Sequence, residues 1–312
     1  MQFRVLPALT LVLGGVAQPV LAAPPSVVTD IPPVHALAAM VMGDLGSPAL
    51  LLERGANAHH YQMRPADAQT LQEAGLVFWI GPGMTPWLER ALQGIAPDTP
   101  AIALLAADGT VERHGAEEGE EGHDHDHDHD HDHDGHDHGD VDPHAWLDPA
   151  NARTWLAVIS GVLSEADPEN AETYATHAAA ADQRIAALDA ELAALLAPVS
   201  DQPFVVAHDA YGYFADHYGL TVAGAVALGD DAAPDAQHLS ELRDTIAQSG
   251  AVCIFPETGH DPKLITVLTE GTDLRVGAPL DPSGSSLDPG TGHYEALMRT
   301  LGENLHACLA QG

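Results

Sequence analysis

ENAETYATHAAAADQRIAALDAELAALL, residues 169–196, is an Ala- and Leu-rich run held between Pro168 and Pro198. Alanine and leucine favour a helix and proline interrupts one, so the run reads as one continuous helix. At 1.5 Å per residue it extends roughly 40 Å, about the length of a domain. A helix of that length acts as a strut, and the sequence on either side says what it joins.

On the amino-terminal side, apolar runs alternate with helical patterns. SVVTDIPPV (26–34) is strand-like, and residues 35–43 read as a helix. PALLLERGAN (48–57) is a strand with its exit loop, RPADAQTLQEAG (64–75) a helix, LVFWIG (76–81) a buried strand, TPWLERALQ (85–93) a helix and AIALLA (101–106) a strand. WLDPANARTWLAVISGVLSEA (146–166) is helical, with Asp148 as N-cap and Pro149 at the first helical position. Beyond the strut the alternation resumes: PFVVAH (203–208), TVAGAVAL (221–228), AVCIFPE (251–257) and LRVGAPLDP (274–282) are strands. Helical patterns lie between them, and a last helix covers 293–311. Such alternation implies parallel sheets covered by helices. The expected fold is α/β: two Rossmann-like lobes, each with its own core, joined by one long linker helix, with the binding site in the cleft between them. The expected boundaries are 23–166 for the first lobe, 167–197 for the linker and 198–312 for the second.

Residues 1–22 carry one basic residue, Arg4, then an apolar stretch ending in small residues at Ala22, which is the pattern of a secretory signal peptide. An exported, soluble protein is expected. Its 11 Lys plus Arg against 46 Asp plus Glu leave a formal charge of −35. Such a field disfavours nucleic acid and anionic membranes and attracts cations. The two cysteines, Cys253 and Cys308, can pair in an oxidising compartment, and two isolated cysteines lack the close spacing of a zinc knuckle. A disulfide is expected.

EEGEEGHDHDHDHDHDHDGHDHGDVD, residues 117–142, places His123, His125, His127, His129, His131, His133, His136 and His138 among thirteen carboxylates. Imidazole and carboxylate are both metal ligands, and with no apolar face the stretch cannot offset the entropy of ordering. It reads as a disordered metal-gathering loop, 115–142, within the first lobe. Outside it, His59 lies in a strand's exit loop, His144 just before a helix, and His208 at the end of FVVAH. Those are places where loops face a cleft and side chains converge. His35, His177, His217, His238, His293 and His306 fall on helical patterns and are expected as surface or capping residues.

The ordered series GANAHHYQMRPADAQTLQEAGLVFWIGPGM (55–84), the His-rich loop, HAWLDP (144–149), HDAYGYFADHYGL (208–220), PDAQHLSELRD (234–244), CIFPE (253–257) and LDPSG (280–284) spans nearly the whole chain. It resembles the periplasmic receptors of bacterial ABC metal importers, specifically the ZnuA-like zinc-binding proteins. The resemblance implies that His59 and His144 from the first lobe and His208 from the second bind one zinc ion. Asp281 corresponds to an aspartate that some relatives use as a ligand, although it could equally cap the turn before Pro282. Some relatives carry an acid just before the first ligand histidine, where this chain has Ala58, which leaves water or Asp281 to complete the shell. Manganese-importing relatives typically have an acid at the position of His208; three imidazoles suit zinc.

The function so implied is capture of periplasmic zinc by a monomer and delivery to an ABC transporter permease, with the loop as accessory collector or sensor. A zinc buffer or chaperone is the alternative. A zinc hydrolase is a third reading, since three histidines and a water also describe a catalytic zinc. It lacks HExxH and has only Glu257 as a candidate general base.

Overall fold

The computed structural model describes residues 23–114, 141–227 and 235–311. The expected signal peptide and the eight histidines of the acidic tract lie outside the described residues. In the first lobe β1 (Val27–Thr29), β2 (Ala49–Leu50), β3 (Leu76–Trp79) and β4 (Ala101–Ala103) form a parallel sheet in the order β2-β1-β3-β4. Helices α1 (Pro32–Met42), α2 (Pro65–Gln72) and α3 (Pro86–Ile95) connect them. Each opens on a proline, whose fixed φ suits the first turn and whose missing N–H has no partner there anyway. The strand expected over 26–34 is therefore shorter: it stops at Thr29, and Pro32 already belongs to α1.

Helix α4 (Pro149–Ala166) begins at the expected cap, where the Asp148 carboxylate accepts from Ala150 N–H at 2.7 Å. Then comes the strut, α5 (Ala171–Leu196). Tyr174, Ala178, Ala181, Ile185, Leu188, Leu192 and Leu196 are buried along it, three or four residues apart, one stripe of a 3.6-residue period.

The second lobe repeats the first. Strands β5 (Phe204–His208), β6 (Val222–Ala227), β7 (Cys253–Phe255) and β8 (Arg275–Val276) form a parallel sheet in the order β6-β5-β7-β8, with α6 (Gly212–Tyr218), α7 (Ala236–Ser249) and α8 (Lys263–Thr269) between them. Closing helix α9 (His293–Leu309) packs on α5 and α1. The expected disulfide joins β7 to α9 through Cys253 and Cys308, with Cα atoms 6.3 Å apart.

Strand residues alternate between two apolar environments, as expected when both faces of a sheet are covered. Val27, Phe78, Phe204 and Phe255 face inward, into a continuous core shared with α1, α4, α5 and α9. Val28, Val77 and Leu88 make a separate outer core in the first lobe, and Val205, Ile254 and Leu242 another in the second. The expectation of one core per lobe is thus corrected. The stripe on α5 is long enough to carry apolar surface to both sheets, so the two inner cores merge along it.

Three helical histidines depart from the expected surface or capping roles. His35 is buried with Nε2 3.2 Å from Pro48 O, and burial lowers its pKa. His293 is buried with Nε2 2.9 Å from Ser283 O. His217 bridges Asp148 at 2.9 Å and Asp189 at 2.8 Å, and the hydrogen bond to Asp148, then that to Asp189, raises its pKa to about 9.

Candidate metal centre

His208 ends β5, one of the two central strands of its sheet, where successive connections leave to opposite sides and open a crevice. It is 7 % exposed. Its Nδ1 faces Glu257 Oε1 at 3.4 Å, just past the end of neighbouring β7. The other carboxylate oxygen of Glu257 accepts from Tyr211 O–H at 2.9 Å, which fixes the carboxylate.

His144 lies between the base of the acidic tract and α4, and is 3 % exposed. Asp142 Oδ1 accepts from both His144 N–H at 3.0 Å and its ring Nδ1 at 2.8 Å. An ionised carboxylate can only accept, so Nδ1 carries the proton and Nε2 keeps its lone pair for a metal. Trp146 packs against His144, with ring centroids 5.3 Å apart, and donates from Nε1 to Pro282 O at 2.7 Å. That bond ties the His144 segment to the second lobe.

His59 sits in the loop after edge strand β2. Its backbone N–H donates to Asn57 Oδ1 at 2.8 Å, and the neighbouring carbonyl of Ala58 accepts from Trp87 Nε1 at 2.6 Å. Gly55, at φ +76°, turns this loop and donates to Ser285 O across the cleft.

These three imidazoles, from two loops of the first lobe and a strand end of the second, line one cavity of about 120 Å³ together with Glu257, His260 and Asp281. Ring centroids are 5.2 Å apart for His144–His208, 5.7 Å for His59–His144 and 6.5 Å for His59–His208. A Zn–N bond of about 2.0–2.1 Å puts imidazole centroids about 5.2 Å apart around a tetrahedral ion. His144 and His208 stand at that spacing, and His59 lies about 1 Å further out. Among the described residues no three or more His, Cys, Asp or Glu side chains are placed to hold a metal ion as they stand.

Asp281 reaches the cavity wall, but its carboxylate is engaged. It accepts from Ser285 N–H at 2.9 Å and Ser285 O–H at 3.1 Å, and from Ser286 N–H and O–H at 3.2 Å each. These bonds hold the 281–286 turn, as the capping alternative expects. Ala58, the residue before His59, is buried and brings no carboxylate to the cavity.

Two cavity residues carry more weight than the sequence reading gave them. Glu257, in the sequence only a candidate general base, meets Tyr211 and His208. His260 carries a related signal in the sequence, since ETGH places a ligand-type side chain in the turn that follows the apolar strand CIF.

The tract itself is not described, but both its ends are. His114 and Val141 pair as an antiparallel bridge, and Asp142 N–H donates to Arg113 O at 2.8 Å. The Arg113 guanidinium joins Asp142 at 3.3 Å and Asp216 of α6 at 3.0 Å. Gly212 permits this, because a Cβ there would lie 2.3 Å from Arg113 Cζ. The base of the tract is thereby clamped to the second lobe, three residues from His144.

Two parallel-sheet lobes on a rigid helix, with imidazoles meeting in the cleft, define a two-lobed metal-receptor architecture. The family model described as "ZnuA: Zinc-uptake complex component A periplasmic" matches residues 27–308, and the chain belongs to that family. It is 50 % identical over 312 residues to the high-affinity zinc uptake system protein ZnuA of Paracoccus denitrificans, covering 95 % of each chain. It is 36 % identical over 307 residues to the protein of the same name from Brucella suis, covering 91 % of this chain and 92 % of that one. Among solved structures, the SBP FpvC of Pseudomonas aeruginosa in complex with Mn2+ superposes with a TM-score of 0.77 at 21 % identity, over 92 % of this chain and 99 % of that one. At that identity the likeness concerns the fold. Family membership sets the hydrolase reading aside: the relatives are uptake components, not enzymes.

Proposed function

We propose that this chain captures zinc in the cavity between its lobes through His59, His144 and His208, and delivers it to the membrane permease of an ABC importer. The observation that carries the reading is the convergence of three imidazoles from separate segments at 5.2–6.5 Å, two of them at tetrahedral spacing. Three nitrogens suit zinc better than manganese, which favours oxygen. Water takes the fourth position in preference to Asp281, whose oxygens already hold their own turn. The uptake reading is supported by the names of the relatives, which are zinc uptake system proteins.

The acidic tract acts as an accessory collector. Its dense, weak ligands raise the zinc concentration beside a cavity whose His144 follows directly from the base of the tract. Residues 1–22 direct export and are cleaved near Ala22, and the mature chain works as a monomer. Imidazole binds zinc only when neutral, so the tract releases metal as the pH falls toward 5, while the enclosed site holds it longer.

The test is equilibrium competition of metal-free mature protein with a zinc chelator, alongside manganese. One tight zinc per chain and far weaker manganese are expected; loss of that preference would overturn the assignment. Zinc-limited growth of a deletion strain, with and without the permease, separates delivery from buffering. Unimpaired zinc uptake in the strain would refute the importer role.

A further inference from the structure

His260 lies past β7 in the turn that follows Glu257, and its backbone N–H donates to Glu257 O at 3.2 Å. Gly259, at φ +87°, lets the chain fold back sharply enough to bring the imidazole over the carboxylate. Glu257 Oε1 then faces two ring nitrogens, His260 Nδ1 and His208 Nδ1, at 3.4 Å each. That distance is long for an N–H···O bond, which prefers about 2.7–3.2 Å. It is the separation of two ligands on one tetrahedral zinc, about 3.3–3.4 Å for metal–ligand bonds of about 2.0–2.1 Å.

Exposure gives the arrangement a direction. The side chains of His208 and Glu257 are 9 % and 6 % exposed, whereas that of His260 is 49 % exposed. All three line the same cavity, with His260 and His208 centroids 6.3 Å apart. His260 is therefore the outermost donor, and Glu257 and His208 are both buried behind it.

We propose that His260 Nδ1 and Glu257 Oε1 form an outer cation position at the cavity mouth, from which zinc passes to His208 by ligand exchange. This rests on the three-histidine reading of the inner site. Two protein donors leave the remaining coordination to water, so the outer position is weak and exchanges quickly. Glu257 is shared, which lets the ion gain the inner imidazole before it loses the outer one. A station on the path in both directions changes rates and leaves the equilibrium nearly untouched. A fourth permanent ligand would do the opposite.

The test is His260→Gln in the otherwise intact mature chain, with folding checked by circular dichroism. Zinc chloride filling and EDTA withdrawal are followed by stopped-flow tryptophan fluorescence, Trp146 being packed on His144. Both rates are expected to fall by about five- to tenfold with affinity within about threefold, because a barrier common to both directions cancels in their ratio. His260→Glu, which keeps a donor, is expected to recover the rates. Unchanged rates in His260→Gln would overturn the proposal, as would an affinity loss above about tenfold, the mark of a residue that holds the bound ion or supports its ligands rather than a station on its path. A wild-type chain that bound no zinc tightly would instead refute the inner site, a separate failure.

Discussion

The two lobes share one topology and use it oppositely. In each, the first central strand sends its connection to one side and the next central strand lies on the other, so that two strand ends meet over a crevice. In the first lobe Asp30 follows β1 at this point, fully buried. It accepts from Ile31 N–H at 2.8 Å, Ile80 N–H at 2.9 Å and Thr85 O–H at 3.2 Å. In the second lobe the counterpart strand ends in His208, which faces Glu257 and an open cavity. The crevice comes from topology; the residue at the strand end decides whether it becomes a sealed polar knot or a ligand position. With its own crevice sealed, the first lobe brings His59 and His144 to the cavity wall from loops elsewhere.

The comparison breaks first at His208. His208→Ala is expected to weaken zinc binding by more than about 100-fold, beyond the 10–100-fold typical of outer partners. A loss below tenfold would mean that the second lobe does not supply the ion's main ligand there. Asp142→Asn tests the supporting layer of the first lobe. It removes the anionic acceptor that holds the His144 tautomer and is expected to cost about 10–100-fold in affinity, read by the same chelator competition. Equal affinity would show that packing against Trp146 alone orients the ring.

The sealed crevice is tested by stability. Burial pushes the Asp30 carboxyl up from 3.8 to about 6. The folded chain therefore binds this proton more tightly than the unfolded chain, so the group favours folding most below about pH 4 and loses that contribution as pH rises through 4 to 6. Asp30→Asn should abolish this slope in urea titrations. It should also cost about 1–3 kcal/mol, because its amide N–H₂ meets donors where an oxygen had accepted. A slope that survives would assign the titration elsewhere.

His217 tests the seam between the lobes, since it joins α6 to the cap of α4 and to α5. Its pKa is raised from 6.5 to about 9, so its stabilisation is complete below pH 6.5 and is lost as pH rises through 9. His217→Gln is expected to remove that alkaline slope and cost about 1 kcal/mol, as partly exposed ion pairs do. If chemical denaturation of the variant still showed the wild-type slope between pH 6.5 and 9, the clasp would be irrelevant to stability.

Both sheets were legible in the sequence because strands buried on two faces are short apolar runs, and proline marks the helix starts between them. The Asp148 cap and the Cys253–Cys308 pair were legible for similar local reasons. The merged inner core was not: an apolar stripe on a helix says which face is covered, not by which sheet. His35, His217 and His293 escaped because their partners lie 10 to 69 residues away in the chain, where spacing carries no signal. The ligand histidines were recognisable one by one at strand and helix ends, yet their convergence rested on resemblance. His260 carried the same local mark and had no such resemblance to draw attention to it.

The smallest expected effect on tight binding belongs to the most conspicuous segment. Deleting Glu117–Asp140 leaves Gly115–Ala116 between His114 and Val141, which are already paired antiparallel. Glycine at the first position of a two-residue connection suits a tight hairpin, so the clamp of Arg113 onto Asp142 and Asp216 need not move. His144, held by Asp142 and Trp146 rather than by the tract, then keeps its orientation. The tight zinc should remain within about threefold in affinity, less than the tenfold loss of even a weak outer partner, while total zinc per chain falls. Loss of the tight ion would move the principal site into the tract and reverse the roles of collector and receptor. Retention with unchanged total zinc would leave the tract no part in binding at all.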